Sequence, residues 1–163
     1  MGTALLSLGS NLEPEHHLRA AAKALRERFP GIVFSRPYRY PAVGFDGPDF
    51  INAGAMLQSD LDPHQLNAWL HALEDTQGRR RDVPRFSSRT LDIDLVFYDD
   101  LILKGAGNLQ LPRPELRHAF VLQPLAQIAP DFRDPVSGKS LGMLWLTHSG
   151  SGHAPEAEVW PLF

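Results

Sequence analysis

The alternation of apolar and polar side chains is clearest between residues 91 and 98. Apolar residues recur there at every second position, which is typical of a β-strand with one face in a hydrophobic core. Asp92 and Asp94 then lie side by side on the opposite face. Two carboxylates held so close repel each other, so the pattern predicts a bound cation. The predicted core face consists of Leu91, Ile93, Leu95 and Phe97.

Over the whole chain, including this strand, the pattern predicts the order β-α-β-β-α-β-β-β-α. The pattern favours an α+β fold, a ferredoxin-like αβα sandwich around a mainly antiparallel sheet, with extra C-terminal helices. We expect one domain over residues 1–148 and a flexible tail over 149–163. Strands are expected over 4–8, 32–40, 50–57, 91–98, 101–103 and 109–111. Helices are expected from Pro14 to Pro30, from the Asp62 cap to Gly78, over 115–128 in two pieces around Pro124, and over 141–147.

The composition excludes several kinds of site and partner. The 163 residues carry a net charge of −3 and no cysteine, which excludes disulfides, thiolate metal sites and a cysteine nucleophile. The acidic balance argues against general binding to nucleic acid or membranes. No signal peptide or membrane-spanning run is visible. We therefore expect a cytoplasmic protein that acts as a monomer on small molecules.

A basic stretch immediately precedes the aspartates. Asp82 is the only acidic residue between positions 79 and 89. Arginine suits bidentate contacts to phosphate, and lysine is absent from this stretch. A solvated surface loop would also explain the charge, but together with the carboxylate pair it favours a loop that closes on a metal-bound polyphosphate. Its arginines are Arg79, Arg80, Arg81, Arg85 and Arg89.

Other features are weaker by themselves. The tripeptide 9–11, Gly-Ser-Asn, lacks the pattern of a phosphate-binding P-loop, and a turn that caps a helix accounts for it. The histidines have no convincing zinc spacing. Phe50, Asn52 and Phe120 could form an aromatic pocket, although core packing explains the two phenylalanines equally well.

Taken together, these stretches resemble the 6-hydroxymethyl-7,8-dihydropterin pyrophosphokinases. The strongest match is the run from Arg89 to Leu95, RTLDIDL, and the resemblance continues in order from about residue 3 to 147. Supporting matches are GSNL at 9–12, YP at 40–41, DFINA at 49–53, residues 74–81, FVLQPL at 120–125 and IAP at 128–130.

The resemblance implies an enzyme that transfers pyrophosphate from MgATP to the pterin hydroxymethyl group and releases AMP. It implies that Asp92 and Asp94 hold two Mg²⁺ ions. The pterin would lie between Phe50 and Phe120, with Asn52 at its edge and Tyr40, Pro41 and Val43 lining the pocket. The implied catalytic residues are Arg79, Arg81, Arg89, Asp92 and Asp94. The implied ATP-binding residues are Glu74, Arg79, Arg81, Arg85, Phe86, Arg89, Leu95, Arg113, Arg117 and His118.

This chain departs from the family pattern at three places. Arg113 stands where many members have histidine, and Phe86 where many have tryptophan. The segment before Phe120 is one residue short, so either Arg117 or His118 takes the place of a family arginine. Two other functions stay open: a binding protein that has lost turnover, and a phosphotransferase acting on a different heteroaromatic alcohol.

Overall fold

The computed structural model describes residues 1–78, 88–104 and 109–162. These residues form strands and helices in the order that the sequence predicts. The strands are β1 (Gly2–Ser10), β2 (Val33–Phe34), β3 (Tyr38–Tyr40), β4 (Phe50–Ser59), β5 (Asp92–Tyr98), β6 (Leu103–Lys104) and β7 (Gln110–Leu111). The α-helices are α1 (Pro14–Arg28), α2 (Pro63–Thr76), α3 (Ala119–Ile128) and α4 (Leu141–Leu146), and short 3₁₀ turns cover Pro114–Arg117 and Ser151–His153.

The main sheet has the order β2-β4-β1-β5, and β3 also pairs with β4. Every pairing in it is antiparallel. One face packs against α1 and α2, and the other against α3 and α4. The predicted α+β sandwich is therefore confirmed. The capping box of α2 is present as predicted, because Asp62 and Gln65 exchange hydrogen bonds of 2.8 and 3.0 Å.

The structure differs from the expectation at three places: the side chain of Phe97, the strand expected over 32–40 and the helical segment expected over 115–128. Phe97 lies in the core beneath α3, away from Leu91, Ile93 and Leu95. The pairing of β1 with β5 shifts register between Leu5 and Leu6, and such an irregularity moves the following side chains to the other face.

The strand expected over 32–40 is divided into β2 and β3. The helical segment 114–128 is interrupted at His118, and α3 then continues through Pro124. Pro124 lies in the buried middle of α3, where packing on the sheet stabilises the helix despite the missing N–H.

Helix α3 lies very close to the sheet at Gly54. A Cβ atom at that position would be 2.9 Å from Leu125 Cδ2 and 3.2 Å from the backbone atoms Leu125 N and Pro124 C. Only glycine therefore allows this approach without displacement of the helix. The contact fixes the height of α3 above the sheet, and thereby the position of Phe120 in its first turn.

The C-terminal residues run along the outer edge of β3. Ala157 forms a bridge with Tyr38, and the Glu158 N–H donates to the Pro37 carbonyl at 2.8 Å. Leu162 is 5% exposed and belongs to the core beneath α1. The mobility expected for residues 149–163, and the domain boundary at 148, stay predictions. Among the described residues, no helix combines the length and apolarity needed to span a bilayer.

Candidate functional site

The sheet register brings residues from four strands into one row. Asn52 of β4 is paired with Tyr38 on one side and with Gly9 on the other, and Gly9 is paired with Asp92. Directly opposed residues of antiparallel strands project from the same face of a sheet. Asn52 and Asp92 therefore lie on one face, separated by the single position Gly9. This is the face that α3 covers only in part.

The centre of the row carries no side chain of its own, and Asn52 and Phe50 lie close to it. A Cβ atom at Gly9 would lie 3.0 Å from Asn52 Oδ1 and 3.7 Å from Phe50 Cδ1. Asn52 is 5% exposed, and its Nδ2 has no hydrogen-bond partner among the residues that the structure describes. A buried donor left unpaired is unfavourable, so it indicates a group supplied by a ligand.

Aromatic side chains surround this amide. Tyr40 is paired with Phe50 across the strands, and its ring meets that of Phe120 edge-on at a centroid distance of 6.3 Å. Phe50 meets the ring of Phe45 edge-on at the same distance. On its other side, Phe120 stacks on His118 with the ring centroids 4.8 Å apart. Two half-buried phenylalanines thus flank the row from β4 and α3.

The two aspartates lie on the same face of β5, as the alternation predicts. Their carboxylates are half-buried, and an arginine provides the counter-charge: Arg113 Nη2 is 3.3 Å from Asp94 Oδ1. Burial, and then the charge of Asp92, raise the pKa of Asp94 well above its usual range, while Arg113 lowers it. The repulsion behind this shift is what a bound cation would relieve.

Arg113 belongs to a small charged cluster. Its Nε lies 3.2 Å from Glu115 Oε2, although the two atoms are not aligned for a hydrogen bond. Within the described part of the chain, no group of three or more His, Cys, Asp or Glu side chains could hold a metal ion. The donor set nevertheless fits Mg²⁺, which commonly takes one or two carboxylates and completes its octahedron with water and phosphate oxygens.

Glu74 supports the aspartate strand from α2. It is 2% exposed, and its Oε2 accepts a 2.8 Å hydrogen bond from the backbone N–H of Ile93, the residue between the two aspartates. Among the described residues β5 is an edge strand of the sheet, so Glu74 provides the acceptor that a further strand would otherwise provide. The family resemblance implies only a nucleotide-binding role for Glu74, and no sequence pattern indicates its contact with β5.

Asn11 is the second residue whose role the sequence did not reveal. Its Oδ1 accepts from the Arg89 N–H at 2.8 Å, and its own N–H donates to the Arg89 carbonyl at 3.1 Å. Its Nδ2 donates to the Pro48 carbonyl and to Ser88 Oγ, both at 3.1 Å. The helix-cap interpretation of residues 9–11 is wrong, because Glu13 is the N-cap of α1 and no side chain caps that helix.

The remaining predicted site residues reveal less about the geometry of the site. Pro41 and Val43 are exposed in the loop 41–49, and Arg117 is exposed in the 3₁₀ turn before α3. The side chain of Leu95 is fully buried in the core, which leaves only its backbone for a ligand. Arg89 is 8% exposed and lies three residues before β5. Four of the predicted residues lie outside the described ranges: Arg79, Arg81, Arg85 and Phe86.

Comparison with known proteins agrees with this geometry. The family model described as 7,8-dihydro-6-hydroxymethylpterin-pyrophosphokinase (HPPK) matches residues 5–130. A Synechocystis protein named 2-amino-4-hydroxy-6-hydroxymethyldihydropteridine pyrophosphokinase is 40% identical over 142 residues, covering 85% of this chain and 72% of its own length. The Pseudomonas aeruginosa protein of the same name is 40% identical over 141 residues, covering 80% of this chain and 82% of its own.

Solved structures show the same fold at low sequence identity. Plasmodium falciparum HPPK-DHPS matches with a TM-score of 0.65 and 13% identity, over 88% of this chain and 40% of the other. An HPPK-DHPS solved in complex with substrates matches with a TM-score of 0.69 and 11% identity, over 92% of this chain and 44% of the other. This chain thus spans less than half of those longer chains.

Proposed function

Because this chain belongs to the 7,8-dihydro-6-hydroxymethylpterin-pyrophosphokinase family, we propose that it transfers pyrophosphate from ATP to 6-hydroxymethyl-7,8-dihydropterin in folate biosynthesis. The products are the pterin pyrophosphate and AMP. In this reaction the hydroxymethyl oxygen forms a bond to the β-phosphorus of ATP. The bond from that phosphorus to the oxygen shared with the α-phosphate breaks, and the hydroxyl proton passes to solvent.

The observation on which the proposal rests is the row from Asn52 through Gly9 to Asp92. Asn52 provides an amide donor without a partner among the described residues, and Gly9 places no side chain between Asn52 and Asp92. Phe50 and Phe120 lie on the two elements that flank this space. A heteroaromatic ring held there would direct its substituent along the row towards the aspartates.

Asp92 and Asp94 would hold magnesium, and we propose two ions. Bound Mg²⁺ would neutralise charge on the phosphate oxygens. The chain's own residues would bind and orient the two substrates, with Asn52 and the phenylalanines on the pterin. Arg113 lies against Asp94 and is close enough to contact a phosphate oxygen at the same place. Catalysis of this kind depends on positioning and charge neutralisation, without a strong protein base.

The arginine-rich stretch 79–89 would complete the proposed nucleotide site. We propose that Arg79, Arg81, Arg85 and Arg89 contact phosphates, with Phe86, Glu74, the Leu95 backbone and either Arg117 or His118 near the rest of the nucleotide. Of these, Arg89 is held just before β5 by a hydrogen bond from its N–H to Asn11. We also propose that the protein acts as a monomer in the cytoplasm, which sedimentation and fractionation would test.

The nucleotide product tests the proposed reaction. The protein is incubated with MgATP and the pterin, and both nucleotide and pterin products are separated by chromatography. We expect AMP and pterin pyrophosphate in equal amounts. Formation of ADP would indicate a simple phosphotransferase. Binding of both substrates without any product would indicate a protein that has kept the pocket and lost turnover.

A further inference from the structure

Two glutamines on α3 each hold a tyrosine of the edge strand β3. Gln123 Oε1 accepts a hydrogen bond from the Tyr40 hydroxyl, and Gln127 Oε1 accepts one from the Tyr38 hydroxyl at 2.9 Å. The glutamines are one helical turn apart, and the tyrosines are two positions apart on the strand. Tyr40 contacts Phe120 of the aromatic pocket, whereas Tyr38 lies across from Asn52 on β4.

Gln123 also binds the C-terminal segment. Its Nε2 donates to the Pro155 carbonyl at 3.0 Å. A carbonyl can only accept, so the amide nitrogen must face Pro155 and the amide oxygen must face Tyr40. The Tyr40 hydroxyl is therefore the donor. Burial, and to a lesser extent Tyr38, raise the pKa of Tyr40 to about 12, so this donor keeps its proton at neutral pH.

The segment that provides the Pro155 carbonyl is itself well anchored. Beyond the bridge from Ala157 to Tyr38, Arg36 Nη2 donates to the Glu158 carbonyl at 2.9 Å, and Arg39 Nη2 forms a 2.9 Å ion pair with Glu158 Oε1. Trp160 packs against the core beneath α1. The segment thus lies along the free edge of β3, the three-residue strand that leads into the loop 41–49.

We propose, on the basis of the proposed function, that Gln123 is a positioning residue for the pterin pocket and that the C-terminal segment 155–162 holds Gln123 in place. Gln123 fixes the Tyr40 ring against Phe120, and Pro155 fixes the orientation of the Gln123 amide. Gln123 does not touch the reacting atoms. Its loss therefore weakens pterin binding without changing the chemical step or the nucleotide site.

Three substitutions in the full chain test this arrangement. Gln123→Leu removes both hydrogen bonds at nearly constant volume. Gln123→Glu keeps an acceptor for Tyr40 but places a carboxylate oxygen against the Pro155 carbonyl. Gln127→Leu is the comparison variant one turn further along α3, because it also removes two hydrogen bonds, from the Tyr38 hydroxyl and the Arg36 N–H, but leaves Tyr40 and its contact with Phe120 in place. KM for the pterin, KM for ATP and kcat are measured for each, with pterin affinity by fluorescence titration.

We expect Gln123→Leu and Gln123→Glu to raise the pterin KM about five- to ten-fold, with kcat and the ATP KM unchanged. Gln127→Leu should leave all three constants unchanged. An unchanged pterin KM in Gln123→Leu overturns the proposal. A normal pterin KM in Gln123→Glu overturns the role of the C-terminal segment. If the wild-type protein neither turns over nor binds the pterin, the proposed function itself is wrong.

Discussion

Asp94 lies where the proposed metal site meets the charged cluster around Arg113. Its replacement by alanine removes one of two adjacent carboxylates, so we expect Asp94→Ala to lower kcat by about a thousand-fold or more, corresponding to about 4 kcal/mol of transition-state stabilisation. Pterin affinity in the absence of nucleotide should stay within two-fold of the wild type, roughly 0.4 kcal/mol. Steady-state assays and fluorescence titration measure the two quantities.

Asp100→Ala is the control for this substitution. Asp100 is an exposed carboxylate on the turn directly after β5, so its removal should change neither constant. Both variants should keep a free energy of unfolding within about 1 kcal/mol of the wild type, because the ion pair between Asp94 and Arg113 is partly exposed. Equal loss of folding and activity in Asp94→Ala would contradict the metal-site interpretation.

Glu74 is a buried residue whose support of β5 can be tested by substitution. Glu74→Leu leaves the Ile93 N–H without its acceptor and should lower the free energy of unfolding by about 1–3 kcal/mol. Glu74→Gln keeps an oxygen that can accept this hydrogen bond and should lose less. Urea denaturation compares the two variants. Equal destabilisation would mean that the carboxylate charge, and not the hydrogen bond, is the stabilising feature.

Residues differ in how far the sequence reveals their roles. Asp92 and Asp94 could be predicted because strand alternation and charge are local properties of the chain. Asn11 could not, because its partner Arg89 is 78 residues away. The hydrogen bond from Ile93 to Glu74 joins two elements whose packing becomes visible only in the folded chain. Polar residues that hydrogen-bond distant backbone groups leave no short-range pattern in the sequence from which this role could be predicted.

At the scale of the secondary-structure elements, the position of α3 depends on its close approach to the sheet at Gly54. Gly54→Ala would place a methyl group 2.9 Å from Leu125 Cδ2 and 3.2 Å from helix backbone. We expect a loss of about 1–3 kcal/mol in the free energy of unfolding, since helix and sheet must separate slightly. Gly31→Ala is the matched control, because a Cβ atom there meets nothing within 4 Å. No difference between the variants would mean that α3 adjusts without cost.

Errors in the predicted elements also have physical causes. The β1–β5 register shift that places Phe97 beneath α3 depends on how two strands pair, which alternation along one strand does not determine. The sequence predicts a helix divided at Pro124, but burial of Val121, Leu122 and Leu125 stabilises α3 on both sides of this proline. In both cases tertiary packing outweighs a local preference.

At the scale of the whole molecule, the lowered pKa of His118 leads us to expect that the free energy of unfolding depends on pH. Burial, and then the charge of Arg117, lower the pKa of His118, while Glu115 raises it and His148 lowers it further. The unfolded chain then binds a proton more readily than the folded protein. This contribution to stability is complete above the ordinary histidine pKa of about 6.5 and is lost as the pH falls below it.

His118→Phe keeps a ring that can stack on Phe120 and removes the titration. We expect the free energy of unfolding of this variant to fall less steeply between pH 7.5 and 5.5 than that of the wild type. Urea denaturation at several pH values measures the two slopes. Parallel slopes would show that His118 titrates alike in the folded and unfolded chains.

The hydrogen bonds of Asn11 have a consequence for how the two substrates influence each other. One buried amide joins Pro48, in the loop beside the proposed pterin pocket, to Arg89, in the proposed nucleotide site. A shift of either backbone must therefore be accommodated by the other, and the two ligands should bind cooperatively, each changing the affinity of the other by the same factor. Asn11→Ala should bring this factor towards one in calorimetric titrations with a non-hydrolysable ATP analogue, whereas an unchanged factor would show that the coupling takes another route.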